Sequence, residues 1–163
     1  MRKALLAVCV VLLAGALQSQ ISGRIPVLGS RPDFFLAATM AMGLVLDPAL
    51  GAAFGFAAGL THASIVGVSL GGMIVSRTLL GFAASSARAR VFQDNPLVLL
   101  ALALVGTICC EGVYFLIDPT RGSMAALDKL SMESVYNAVL TVICYLLIRR
   151  TMRRGRDPEP SGL

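Results

Sequence analysis

The chain has 163 residues, of which 56% are hydrophobic and only 14% are charged. Soluble domains carry about 25% charged residues, so a compact globule of this composition would expose far too much apolar surface. This excludes a soluble enzyme and a nucleic-acid-binding domain, although the formal net charge is +5. The composition predicts an all-α membrane protein with about six transmembrane helices.

Six apolar stretches are candidates for membrane spans, because a helix needs about 20 apolar residues to cross a bilayer. The predicted spans are residues 4–21, 34–47, 49–66, 70–86, 97–117 and 132–148. They form a single polytopic membrane domain over residues 1–150. A short interfacial helix is expected around Met124–Leu130, and residues 151–163 are predicted to be a disordered cytoplasmic tail.

Two of these stretches allow a second interpretation. The first resembles a secretory signal, because Arg2 and Lys3 precede an apolar run with Ala14-Gly15-Ala16 as a possible cleavage site. We interpret it as a retained helix, since several further spans follow. The second has an unbroken apolar run of only 13 residues, Phe34–Leu46, and spans fully only with its polar flanks or with local thinning of the bilayer.

Basic residues are unequally divided between the two ends of a six-span bundle. One end holds Arg2, Lys3, Arg88, Arg90, Arg149, Arg150, Arg153, Arg154 and Arg156, and the other holds Arg24, Arg31, Arg121 and Lys129. Since basic residues accumulate on the cytoplasmic side, both termini are predicted to lie in the cytoplasm. The arginines of the tail either fix this topology alone or also attract anionic lipid.

Small residues recur at intervals of four along the third span and beyond it, at Gly51, Gly55, Gly59, Ala63, Gly67 and Gly71. Four residues are close to one helical turn, so these positions are predicted to form a narrow groove on one face. Such grooves allow helices to approach closely in lipid. Either another span of the chain or another protein could occupy the groove.

Four intramembrane polar residues are candidates for a functional or structural role: His62, Arg77, Glu111 and Asn137. A charge at the centre of a bilayer costs at least ~2.5–3.5 kcal/mol, so charged side chains there should face protein or water. Arg77 and Glu111 have opposite signs and are predicted to pair between spans four and five. His62 is interpreted as a packing histidine, with a proton relay as the alternative.

No catalytic constellation is recognisable in the sequence. A single histidine excludes a multi-histidine metal centre, and the common hydrolase, metalloprotease and phosphate-loop motifs do not occur. The four cysteines, Cys9, Cys109, Cys110 and Cys144, lie within apolar runs and are interpreted as packing residues. We therefore expect no enzymatic activity, no metal and no cofactor.

Several short motifs resemble the MreD family of rod shape-determining membrane proteins, over nearly the whole chain. They are Arg31-Pro32-Asp33, Gly55-Phe56-Ala57-Ala58-Gly59, Ser69-Leu70-Gly71, Asn95-Pro96 and Tyr136-Asn137. Glu111 falls where the family commonly has an acidic residue. The chain departs from the family at Ala63, where an aspartate is common and where the neighbouring His62 is a possible substitute.

This resemblance implies a non-enzymatic scaffold of the cell-wall elongation machinery in the bacterial inner membrane. Its fold is expected to be similar to that of the six-helix substrate-binding subunits of energy-coupling-factor transporters. The implied partners are an MreC-type bitopic protein and, directly or indirectly, MreB, a RodA-type glycosyltransferase and a class B penicillin-binding transpeptidase. Membrane lipids are also expected to bind.

Two surfaces are candidates for partner contacts. One is the glycine face defined above, and the other is the turn at Arg31-Pro32-Asp33. Asp33 is predicted to cap span two by accepting free N–H groups, and Arg31 to bind a partner carboxylate or a lipid phosphate. The alternative is that the two residues serve only as a cap and an interface anchor.

A second function from a different class is a substrate-binding subunit of a vitamin-type transporter. It would require a cavity lined by polar or aromatic side chains. The sequence offers few candidates for such a lining: Arg24, Arg31, Ser64, Ser69 and Tyr114.

Overall fold

The computed structural model describes residues 2–24, 31–88, 95–119 and 124–153. Within these ranges it contains six α-helices and no strand, which confirms the predicted all-α class. The helices are α1 (Arg2–Gln20), α2 (Phe34–Gly43), α3 (Pro48–Val66), α4 (Leu70–Ala87), α5 (Pro96–Ile117) and α6 (Met124–Arg153). The predicted loop around residues 88–96 lies largely outside the described residues.

Proline and glycine mark the ends of α3 as helix-capping rules predict. Pro48 occupies the first turn, where its missing N–H would have no partner in any case. Gly67 ends the helix with φ of 71°, a left-handed conformation that favours glycine, and its N–H donates to the Ala63 carbonyl at 2.9 Å. α5 begins similarly, with Pro96 in its first turn and the Asn95 side chain accepting from the Leu97 N–H at 2.9 Å.

The second helix is shorter than predicted and lies at the centre of the bundle. α2 has 10 residues and ends at Gly43 rather than at residue 47. At 1.5 Å per residue it is about 15 Å long, half of the ~30 Å hydrocarbon core. It packs against all five other helices, and residues 35–43 are buried. The residues next to it, Pro32, Asp33 and Leu44, are also buried, and non-helical backbone at membrane depth is tolerable where protein surrounds it.

The last helix is longer than predicted. The expected interfacial helix at Met124–Leu130 and the expected span at 132–148 belong to one continuous helix of 30 residues. It also includes residues 151–153, which were predicted to belong to the tail. No proline or glycine occurs between Met124 and Arg153 to interrupt the helix. The rest of the predicted tail, residues 154–163, lies outside the described residues.

Among the described residues, four helical segments are long and apolar enough to cross a membrane. They are Lys3–Gln20, Pro48–Val66, Pro96–Ile117 and Glu133–Met152. The other two helices are not among these candidates. α2 is too short to cross a membrane, and α4 is less apolar because it carries Arg77 and three serines. The composition is that of a membrane protein, while the number of six spans stays a prediction.

The glycine face of α3 packs directly against α4. A Cβ atom at Gly51 would lie 2.6 Å from the Gly81 carbonyl oxygen, and one at Gly55 would lie 2.7 Å from the Arg77 carbonyl carbon. At Gly59 the corresponding distance to the Ile74 Cα is 2.8 Å. No real side chain fits at such distances from backbone. The groove predicted from the sequence is thus occupied by another helix of the same chain.

Two glycines assigned to the groove do not belong to it. Gly67 ends α3, and Gly71 lies on the exposed side of the first turn of α4. A Cβ at either position would meet no atom within 4 Å. The four-residue spacing continues past the end of the helix, but the chain turns at residues 67–69, and the shared face ends there. Ala63 is the last member of the series that is buried.

Charged residues bring together three segments at one end of the bundle. Lys3 Nζ lies 3.3 Å from Asp47 Oδ2, and Arg88 Nη1 lies 3.6 Å from Asp47 Oδ1. Arg88 also donates to the Val45 carbonyl at 3.0 Å. The start of α1, the turn between α2 and α3, and the end of α4 therefore lie at the same end of the molecule.

Replacing Gly55 by alanine should separate α3 from α4 and lower the free energy of unfolding by about 1–3 kcal/mol, as overpacking does. Gly71→Ala is the matched control, because it adds the same methyl group in open space and removes a flexible residue from a helix. Thermal unfolding in detergent should show a lower midpoint for Gly55→Ala only. Equal midpoints for the two variants would show that the helices tolerate a wider spacing.

Candidate functional site

The guanidinium group of Arg77 lies at the centre of a buried polar cluster. Arg77 has 0% of its surface exposed. Its Nη1 and Nη2 atoms each lie 3.3 Å from Glu111 Oε1, so the pair predicted from the sequence is present. Nη2 also donates to Asp33 Oδ2, and Nη1 donates to the Cys110 sulfur at 2.7 Å. One cation on α4 thus contacts two carboxylates from different parts of the chain.

Asp33 is the cap of α2, as predicted, and it is also an acidic partner of Arg77. Its Oδ1 accepts from the Leu36 N–H at 2.8 Å, while its Oδ2 accepts from Arg77. Its own N–H donates to Asn137 Oδ1 at 2.9 Å. The residue was expected at a membrane-adjacent surface open to partners, but it is buried. Its carboxylate faces the interior, where the Leu36 N–H and the Arg77 guanidinium group donate to it.

His62 joins the cluster from α3. Its Nδ1 lies 3.6 Å from Asp33 Oδ1, and its ring stacks on Phe35 with a centroid distance of 5.1 Å. It is buried in this position. The packing role predicted for His62 is therefore visible, and the contact with Asp33 adds an electrostatic role that the sequence did not indicate.

The described part of the cluster combines one guanidinium group, two carboxyl groups and one imidazole ring. Arg77 carries one positive charge, whereas Asp33 and Glu111 carry two negative charges when both are ionised. Uncompensated charge is expensive in an apolar interior, so the contacts of Arg77 with the two carboxyl groups stabilise this arrangement of the helices.

The cluster connects five of the six helices. Asp33 stands at the start of α2, His62 on α3, Arg77 on α4, Glu111 on α5 and Asn137 on α6. Two buried donors, Arg77 Nε and Asn137 Nδ2, have no hydrogen-bond acceptor among the described residues. Glu111 is the most exposed of the charged members, with 24% of its side chain accessible. The arrangement fixes the helices relative to one another around a single cation.

Asp33 was predicted as a helix cap and Asn137 as an intramembrane polar residue. The sequence did not indicate that both belong to the cluster around Arg77. One available signal was the shortness of the apolar run that Asp33 precedes. A run too short to span a bilayer indicates that its polar flank lies inside the protein.

Of the remaining candidates, Arg31 is exposed next to the buried Pro32. Its predicted contact with a carboxylate or phosphate stays a prediction.

Chemistry at the cluster is limited by its residue types. Among the described residues, no three His, Cys, Asp or Glu side chains are arranged to hold a metal ion. The nearest thiol, Cys110, accepts a hydrogen bond from Arg77 and is itself buried. Ion pairing between helices is the role that this geometry supports.

Asp33→Asn should destabilise the protein more than Glu111→Gln. Removing one partner of a buried ion pair costs about 3–5 kcal/mol, and Asp33 is buried, whereas Glu111 is partly exposed. We expect about 3 kcal/mol for Asp33→Asn and about 1 kcal/mol for Glu111→Gln, measured by denaturant unfolding in mixed micelles. An equal loss in both variants would indicate that Arg77 depends on the two carboxylates alike.

A protein family model matches almost the whole chain. The family model described as rod shape-determining protein MreD matches residues 1–154 of the chain. No curated protein and no solved structure matches it, so the expected likeness to energy-coupling-factor subunits stays a prediction. The family match covers all six helices, including every member of the polar cluster. The chain therefore belongs to the MreD family of rod shape-determining proteins.

Proposed function

We propose that this protein is a non-enzymatic scaffold of the bacterial cell-wall elongation machinery that acts by binding an MreC-type bitopic partner. Membership of the MreD family, a family of membrane proteins, carries the proposal, because that family has a role in rod shape determination. Through the partner, the scaffold would connect MreB filaments to a RodA-type glycosyltransferase and a class B penicillin-binding transpeptidase.

Two short connections and the exposed side chains of α1 support binding of a partner within the membrane. The turn between α2 and α3 comprises residues 44–47, and that between α3 and α4 comprises residues 67–69. Such short connections offer little surface outside the bilayer. Large apolar side chains are well exposed on α1, including Leu5 and Leu12 at 68% each. The exposed helix faces are therefore surfaces at which another membrane protein can bind.

The polar cluster supports a structural role for the charged residues of the interior. Arg77 pairs with both Asp33 and Glu111, and these pairs link α4 to the start of α2 and to α5. The proposed location is the inner membrane, with both termini in the cytoplasm. The shared position of Lys3 and Arg88 at one end of the bundle agrees with an alternating path of the chain.

The proposal is tested by co-purification from cells that express the protein together with its MreC-type partner. We expect the pair to remain associated in mild detergent, and depletion of the protein to make rod-shaped cells round. Arg31→Glu should lower the recovery of the partner if the Arg31 turn contributes to the interface. Arg24→Glu is the matched control, since Arg24 is exposed on the segment that follows α1. Failure to capture the partner with the unchanged protein would contradict the scaffold proposal.

A transporter-type function makes the opposite prediction about small molecules. Three crevices formed by described residues, of about 250–300 Å³ each, are lined mainly by apolar side chains. Their linings include few polar or aromatic side chains, namely Lys3, Phe54, Ser76 and Thr151, whereas a vitamin site is expected to have more. We therefore expect no vitamin in a panel to raise the unfolding midpoint of the detergent-solubilised protein. A ligand at 100 times its dissociation constant would stabilise it by about 2.7 kcal/mol, and such a shift would favour the transporter function.

A further inference from the structure

A groove with a volume of about 300 Å³ lies between α1 and α3, apart from the polar cluster. Its walls are apolar, and small residues form much of them: Ala4 and Ala7 on α1, and Ala53 and Ala57 on α3. Lys3 is the charged residue of the lining, at one end. α1 forms the outer wall, and only 11% of its apolar segment is buried inside the protein.

The length of the groove matches the depth of one bilayer leaflet. On α1 it extends from Lys3 to Leu12, which is roughly 14 Å at 1.5 Å per residue. That length is about one half of the ~30 Å hydrocarbon core, or one leaflet. Its walls are apolar and a basic side chain lies at one end, which matches the apolar chain and the charged head group of a single lipid molecule.

The charged residues at one end of the groove indicate which kind of lipid head group would bind there. Lys3 and Arg88 both contact Asp47, and the three side chains together have a formal charge of +1. Their side chains are 42% and 43% exposed, and Asp47 is 61% exposed, so the basic groups remain accessible from the surface. A basic residue near the membrane surface attracts anionic lipid by about 1 kcal/mol.

We propose that this groove binds one acyl chain of an anionic phospholipid, whose phosphate contacts Lys3. The acyl chain would lie along Ala7 and Val11 on one side and along Ala53 and Ala57 on the other. The lipid belongs to the leaflet on the Lys3 side of the bundle. This site is separate from the Arg77 cluster, and its α1 wall shares Leu12 with the exposed helix surface that is open to a partner.

The test uses the full-length protein in nanodiscs of equal parts phosphatidylglycerol and phosphatidylcholine, followed by native mass spectrometry. The unchanged protein should retain one phosphatidylglycerol molecule in preference to phosphatidylcholine. Ala53→Phe fills the groove and should abolish this retention. Ala101→Phe is the matched control, because it adds the same ring at an exposed position on α5.

A second pair of variants tests the head-group contact separately. Lys3→Gln should reduce the preference for phosphatidylglycerol about fivefold, the factor expected for one basic residue. Arg150→Gln, at an exposed position near the end of α6, should leave it unchanged. Lys3→Gln keeps the proposal testable if Ala53→Phe does not fold.

Three outcomes would overturn the proposal. The first is equal phosphatidylglycerol retention by Ala53→Phe and Ala101→Phe. The second is an unchanged lipid preference in Lys3→Gln. The third is loss of MreC-type partner binding in Ala53→Phe with lipid retention intact, which would assign the groove to a protein helix.

Discussion

A guanidinium group enclosed by apolar helices must be neutralised by the protein itself, and this requirement explains much of the architecture. Arg77 is fully buried, and its charge is compensated by Asp33 and Glu111. Asp33 reaches Arg77 only because the chain before α2 enters the bundle. That entry places the N-terminus of α2 inside the protein, where Asp33 also satisfies a free N–H of the first turn.

Arg77 also takes part, through its backbone, in the close contact between α3 and α4. The Arg77 carbonyl faces Gly55 on α3, while its side chain extends toward α2 and α5. Close approach of α3 to α4 and neutralisation of the cation are thus two consequences of one placement. A shift of α4 that relieved the glycine contact would also move the guanidinium away from its carboxylates. The two interactions stabilise a single arrangement of the helices.

Local features of the sequence predicted much of this structure. Apolar runs bounded by Pro48, Gly67 and Pro96 correctly indicated helices, and the charges of Arg77 and Glu111 correctly indicated their pairing. The contact between Asp33 and Asn137 was not predictable, because it joins residues 104 positions apart through the backbone of one of them. Nothing in the local pattern distinguishes a glycine that faces a helix from one that faces open space.

The lengths of α2 and α6 could not be predicted from the hydrophobicity of the sequence alone. Hydrophobicity measures how apolar a segment is, but its surroundings determine where the helix stops. α2 ends at Gly43, five residues before the proline that begins α3, whereas α6 continues because no proline or glycine interrupts it. The cluster at Arg77 could be predicted only in part, since its geometry depends on the packing of all five helices that contribute to it.

The enclosure of α2 has a consequence for how the protein responds to its bilayer. Hydrophobic mismatch acts on helices that face lipid, which tilt or recruit flanking residues when the membrane becomes thicker or thinner. α2 faces protein on every side, so a change in bilayer thickness would reach it only through its neighbours. The interior that holds Arg77 is in this way insulated from variation in lipid composition that the outer helices must accommodate.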